Sequence, residues 1–177
     1  MALQLENLDE RTRAFMLREL ERDITGDTLY ESPRLSERGK DDYAVLLRDA
    51  IEAGDDVSLA DSLRSGGRIR ATEERRKPKG GFTTAKVPVT APETLAEGEF
   101  NRFYARGLCL RALDDGIADV IVYRAKAVRN PRPESEAMIG KRMSAAALLD
   151  DLRTHVGMDT ALGLPPGPNS GLSARLP

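Results

Sequence analysis

With 177 residues, 40% of them hydrophobic and 32% charged, and a formal net charge of −2, the chain can bury a core of its own. Its single cysteine, Cys109, excludes an intramolecular disulfide, and with only one histidine, His155, it cannot complete a usual tetrahedral zinc set. The opening segment lacks the apolar stretch of a secretory signal and no apolar run reaches membrane-spanning length, so a cytoplasmic protein without a membrane partner is expected.

The near-neutral total hides a sorting of charge. Residues 1–63 carry 16 acidic and 8 basic side chains, residues 64–86 carry 2 and 8, and residues 87–177 carry 11 of each. A short cationic segment behind an acidic head points to an anionic partner, either nucleic acid or the acidic head of another copy.

In chain order, Leu5, Leu8, Thr12, Phe15, Met16 and Leu20 recur at helical spacing and predict a first helix. Asn7 and Glu10 stand in capping-box spacing at its start, and Gly26 stops it. A second helix is expected over 40–53, with Tyr43, Leu46, Leu47, Ala50 and Ile51 on one face. Asp55 and Asp56 cap a third, running through Leu59 and Leu63 to Gly66 and Gly67. Together, residues 1–63 read as an acidic three-helix subdomain.

Residues 64–92 lose their leucines after Leu63 and fill with Gly, Pro, Arg, Lys and Thr. Such a segment has little apolar surface to bury, and it reads as an exposed basic arm or long hairpin. Residues 69–72 and 82–90 are its expected strands, with Pro88 confining the second to an edge.

Thr90 and Glu93 repeat the capping-box spacing and Pro92 suits a first turn, so a fourth helix should run to Asp115. Its apolar residues lie on more than one face, which predicts a central helix contacted on two sides. Gly107 costs such a helix about 1 kcal/mol relative to Ala, and a close backbone approach would account for it. Val120–Tyr123 is the clearest strand, continuing in alternation to Val128. Ser144 caps a last helix carrying Ala147, Leu148, Leu149, Leu152 and Val156, stopped by Gly157. The Pro/Gly-rich stretch from Gly163 onward should lie extended across another surface or dangle. The expectation is an α+β fold with a small sheet: an acidic helical subdomain (1–63), a basic arm (64–92), an α+β body (93–160) and an extended tail (161–177).

The candidate surface for an anionic partner comprises Arg68, Arg70, Arg75, Arg76, Lys77, Lys79 and Lys86 of the arm, extended by Arg124, Lys126, Arg129 and Arg132. Phe82 is the only ring in the arm. Duplex backbone or structured RNA therefore suits it better than a base-stacking platform. The plainer alternative is a solvated loop whose cations pair with acids of the same molecule or a neighbour.

Catalytic patterns are weak. A metal-dependent nuclease strand would place a carboxylate two residues before Lys126, where Arg124 stands; Asp119 is seven residues away, and Glu134 and Glu136 lie on a Pro-bounded loop. A Cys109–His155 dyad would need both groups in one cleft. Gly140-Lys141 lacks the remainder of a phosphate loop.

Three functions follow in order of expectation. The first is a non-enzymatic assembly protein that self-associates, as a homo-oligomer, or docks into a larger complex. The second is a sequence-tolerant nucleic-acid-binding protein using the same arm. The third is an enzyme with a site around Arg102, Tyr104, Arg106, Arg124 and Glu134. No cofactor is implied.

Overall fold

The computed structural model describes residues 2–156 and 170–177. Among them six α-helices and two antiparallel sheets form an α+β fold. Three helices come first: α1 (Glu10–Thr25), α2 (Glu37–Ala53) and α3 (Asp56–Arg64). A two-stranded ribbon follows, built from β1 (Thr72–Arg76) and β2 (Phe82–Lys86). The long helix α4 (Ala91–Asp114) leads into β3 (Asp119–Arg124), the short α5 (Pro133–Glu136), β4 (Arg142–Ser144), α6 (Ala145–Thr154) and β5 (Leu172–Arg175).

Local chemistry accounts for most boundaries. The cap of α1 is Asp9, whose side chain accepts from the Thr12 amide, and not Asn7. Asn7 is occupied elsewhere: its Oδ1 accepts from the Leu176 amide, and its own amide donates to the Tyr104 hydroxyl. α2 starts three residues earlier than its apolar pattern implies because Ser36 caps it through the Gly39 amide. Asp55 and Ser58 form a reciprocal capping box on α3. Thr90 makes no side-chain cap on α4, where Pro92 alone marks the first turn. Ser144 caps α6 as its sequence implies, through the Ala147 amide.

α4 is the axis of the molecule. Buried side chains appear all round it, from Phe100 and Phe103 to Leu108 and Ala112, and α1, α3 and α6 pack against it. Gly107 allows the closest of these approaches. A Cβ at this position would lie 2.8 Å from the Met16 amide nitrogen and 3.1 Å from its Cα, inside the backbone of α1. The backbone contact that the sequence suggested at this glycine is therefore present. The apolar residues of all the larger helices join those of β3 and β5 in one continuous core.

The three-stranded sheet has the order β4-β3-β5, antiparallel throughout. β3 ends at Arg124 and does not alternate on to Val128, because the Ala125 and Lys126 amides both turn to the Gly171 carbonyl. Leu172–Arg175 realises the extended conformation expected of the tail, as a buried strand on β3. The helix stop at Gly157 and the Gly163–Asn169 run lie outside the described residues.

A candidate interaction hairpin

The arm is an antiparallel hairpin whose register pairs Thr72 with Lys86, Glu74 with Thr84 and Arg76 with Phe82 on one face. Glu73 with Ala85 and Arg75 with Thr83 occupy the other face, since neighbouring side chains alternate across a strand. β1 lies later in the chain than the sequence suggested, over 72–76 instead of 69–72, while β2 begins at Phe82 as expected and ends earlier, at Lys86. Ile69 is taken up in an isolated bridge to Leu35 instead of in β1. The turn runs through Lys77-Pro-Lys-Gly-Gly81, closed by the Lys77 amide on the Gly81 carbonyl at 2.9 Å and the Gly80 amide on the Lys77 carbonyl at 3.0 Å. Pro78 fixes the second turn position, and Gly80 and Gly81 supply positive φ.

The root of the arm is fastened to the helices. Backbone bonds join Ser36 to Arg68 and Arg70 to Arg34, both at 2.9 Å. Arg68 binds Asp42 at 2.7 Å, Arg70 binds Glu37 at 3.2 Å, and Arg64 reaches Asp61 and Glu93. Glu73, on the inner face of the ribbon, takes hydrogen bonds from Arg34 (2.6 Å) and Arg75 (2.7 Å), which hold its carboxyl below the ordinary glutamate range. These cations are neutralised within the subunit.

The outer part differs. Arg76, Lys77, Lys79 and Lys86 are exposed and, among the described residues, make no ion pair and no side-chain hydrogen bond. Phe82 sits among them with 66% of its surface exposed, directly across from Arg76. The ribbon's main contacts are between its own two strands. One face carries Arg76 and Phe82 at the turn end, Lys86 at the other end and the exposed Glu74 between them, and the turn adds Lys77 and Lys79, so the cations outnumber the single acid around one exposed aromatic.

The body cations do not extend that face as a free set. Arg124 binds Glu136 and the Ser170 carbonyl, and Lys126 binds Glu97. Arg132 occupies the N-cap position of α5 and has a partner, whereas Arg129 is exposed and makes no ion pair among the described residues.

The residues considered for an enzyme site diverge. Arg102 and Arg106 turn towards α1, while Tyr104, two residues from each, turns to the Asn7 amide and to Tyr123. Arg124 lies at the far end of β3, and Glu134 is exposed on α5. Cys109 is buried and its thiol is pushed up to about 12, chiefly by desolvation, with the Glu19 charge adding to it. His155 turns to Asp151, 2.8 Å away, and no hydrogen bond joins it to Cys109. No group of three or more His, Cys, Asp or Glu among the described residues could hold a metal ion, and no helix there is long and apolar enough to cross a membrane.

Arg102 and Arg106 belong instead to a buried ionic network that the sequence reading did not anticipate. Arg106, with 0% exposure, donates to Glu19 at 2.7 Å and to both Asp23 oxygens at 2.6 and 2.8 Å. Arg102 pairs with Glu99 at 2.5 Å, and Arg153 of α6 reaches Glu19. Burial opposes ionisation of Glu19, but the hydrogen bond from Arg153 and the charge of Arg106 outweigh it and lower its pKa. The signal was available in the spacing. Glu19 and Asp23 stand four apart on α1, and Arg102 and Arg106 stand four apart on α4, so each pair shares a helix face.

No protein-family model, curated protein or solved structure matches this chain.

Proposed function

We propose that this is a non-enzymatic interaction protein that assembles, with further copies of itself or within a larger complex, through the outer face of the β1–β2 hairpin. The observation that carries this reading is the division of the arm. Its root cations each have a carboxylate at home, while Arg76, Lys77, Lys79 and Lys86 have none among the described residues and share the outer ribbon with an exposed aromatic. Buried aromatic and arginine side chains are frequent anchors in protein interfaces, and surface cations steer an acidic partner at long range. The lone cysteine suits a reducing compartment such as the cytoplasm.

Light scattering behind size exclusion tests the reading. Self-association at low salt should weaken towards 1 M salt, as the Debye length falls from about 8 Å at physiological strength to about 3 Å. The variant R76E/K77E/K79E/K86E should lose association and keep its melting temperature. A strict monomer at every salt and concentration, unable to capture any acidic protein partner, removes the proposal.

A second reading draws on the ribbon form itself, because a two-stranded β-ribbon fits the major groove of duplex DNA. Four to five phosphate contacts would give a log-affinity against log-salt slope of about −4. Fluorescence anisotropy on duplex DNA and on structured RNA separates this reading from the first.

A further inference from the structure

Resting on the assembly reading above, we infer that the acceptor for the hairpin is the outer face of α2 on a second copy of the same chain. Asp41, Val45, Asp49 and Glu52 fall on one side of α2 at helical spacing, and all four are exposed. Among the described residues Asp41 makes no ion pair. Asp49 and Glu52 flank Arg48, whose guanidinium is already committed to Glu21 on α1. The face is therefore negative, and at its centre lies Val45, an apolar side chain with 53% of its surface exposed.

The hairpin is its counterpart in charge, in apolar content and in length. It sets Phe82 beside Arg76 and next to the turn lysines Lys77 and Lys79, with Lys86 at the far end of β2 and Glu74 the one acid on that face, while α2 sets Val45 among Asp41, Asp49 and Glu52. From Phe82 to Lys86 a strand extends about 14 Å, and from Asp41 to Glu52 a helix rises about 16 Å. The two surfaces are different patches of one molecule, so the contact is heterologous: hairpin of one copy on α2 of the next. Phe82 packs on Val45, and the cations meet the three carboxylates around it.

Mixing tests this directly. In sedimentation at low salt, D41K/D49K/E52K and R76E/K77E/K79E/K86E should each run as single chains. Combined in equal amounts they should associate again in 1:1 proportion, because the intact hairpin of one faces the intact α2 of the other and the two reversed patches are complementary as well. That rescue also certifies that both variants are folded. If D41K/D49K/E52K assembles as the wild type does, the acceptor lies elsewhere and this inference is overturned, while the hairpin reading stands. If the wild type never associates, the self-assembly reading itself fails. If that monomer binds duplex DNA through the same cations, the partner is nucleic acid and the inference is likewise overturned.

Discussion

Arg106 is held from two sides by carboxylates of α1, and nothing polar remains of its guanidinium for solvent. A buried pair of this kind contributes little net stability compared with apolar side chains of the same shape, yet removing one partner strands the other. Arg106→Ala leaves Asp23 buried without its main counter-charge and Glu19 with Arg153 alone, so urea unfolding should record a loss of about 3–5 kcal/mol. Arg76→Ala, at the tip of the arm, should stay within about 0.5 kcal/mol of wild type in the same assay. The contrast separates cations that hold the fold from cations that are available to a partner. Tyr43 marks the other limit of this interior: its hydroxyl is buried with no hydrogen-bond partner among the described residues, and burial first, then the Glu99 charge, pushes its pKa far up.

β5 owes its conformation to its neighbours more than to its own residues. Leu172-Ser-Ala-Arg175 lacks β-branched side chains, but the free edge of β3 and the amide of Asn101 impose the strand. Asn101 Nδ2 donates to the Leu172 carbonyl at 2.8 Å, and the Ser173 hydroxyl donates to Asn101 Oδ1 at 2.6 Å. A chain ending at Asn169 would uncover β3, expose the site of Leu172 and leave a buried amide unsatisfied. The Leu172 term is about 1.5–3 kcal/mol and the amide about 1–3 kcal/mol. Thermal melting should place the shortened chain well below the full one, with Leu172→Ala in between. The same physics explains what was legible beforehand. α1 to α4 and α6 announce themselves through apolar periodicity and stop residues, and Val120–Tyr123 through β-branching. β4, only Arg142–Ser144, and β5 carry no comparable pattern, so the partners of β3 could not be read. In the same way Glu19, Asp23, Arg102 and Arg106 look like solvated charge until their helices are laid side by side.

Over the whole molecule, the three charge blocks of the sequence resolve into two different uses. The acids of α1 partly turn inward to meet arginines of α4 and α6, those near the root of the arm tie it down, and the remainder of α2 stays outward. The cationic block splits likewise along its length. Composition alone places opposite charges near one another in the chain; only the fold decides which are spent locally. That is why the candidate surface was legible as a segment but not as a set of residues: seven arm cations were in view, and four of them are left without an ion pair among the described residues.

The N-terminal segment also has a use that its sequence does not advertise. Gln4 bonds to Ala125, Glu6 pairs with Arg175 at 2.8 Å, and Asn7 accepts from Leu176, so the two ends of the described chain lie side by side. A circularly permuted gene, with residue 177 joined by a short linker to residue 2 and new ends opened between Lys79 and Gly80, should therefore yield a protein with the same helical circular dichroism and cooperative melt. Its β1–β2 ribbon would be two loose strands, and the assembly proposed above then requires its sedimentation profile to be that of a single chain.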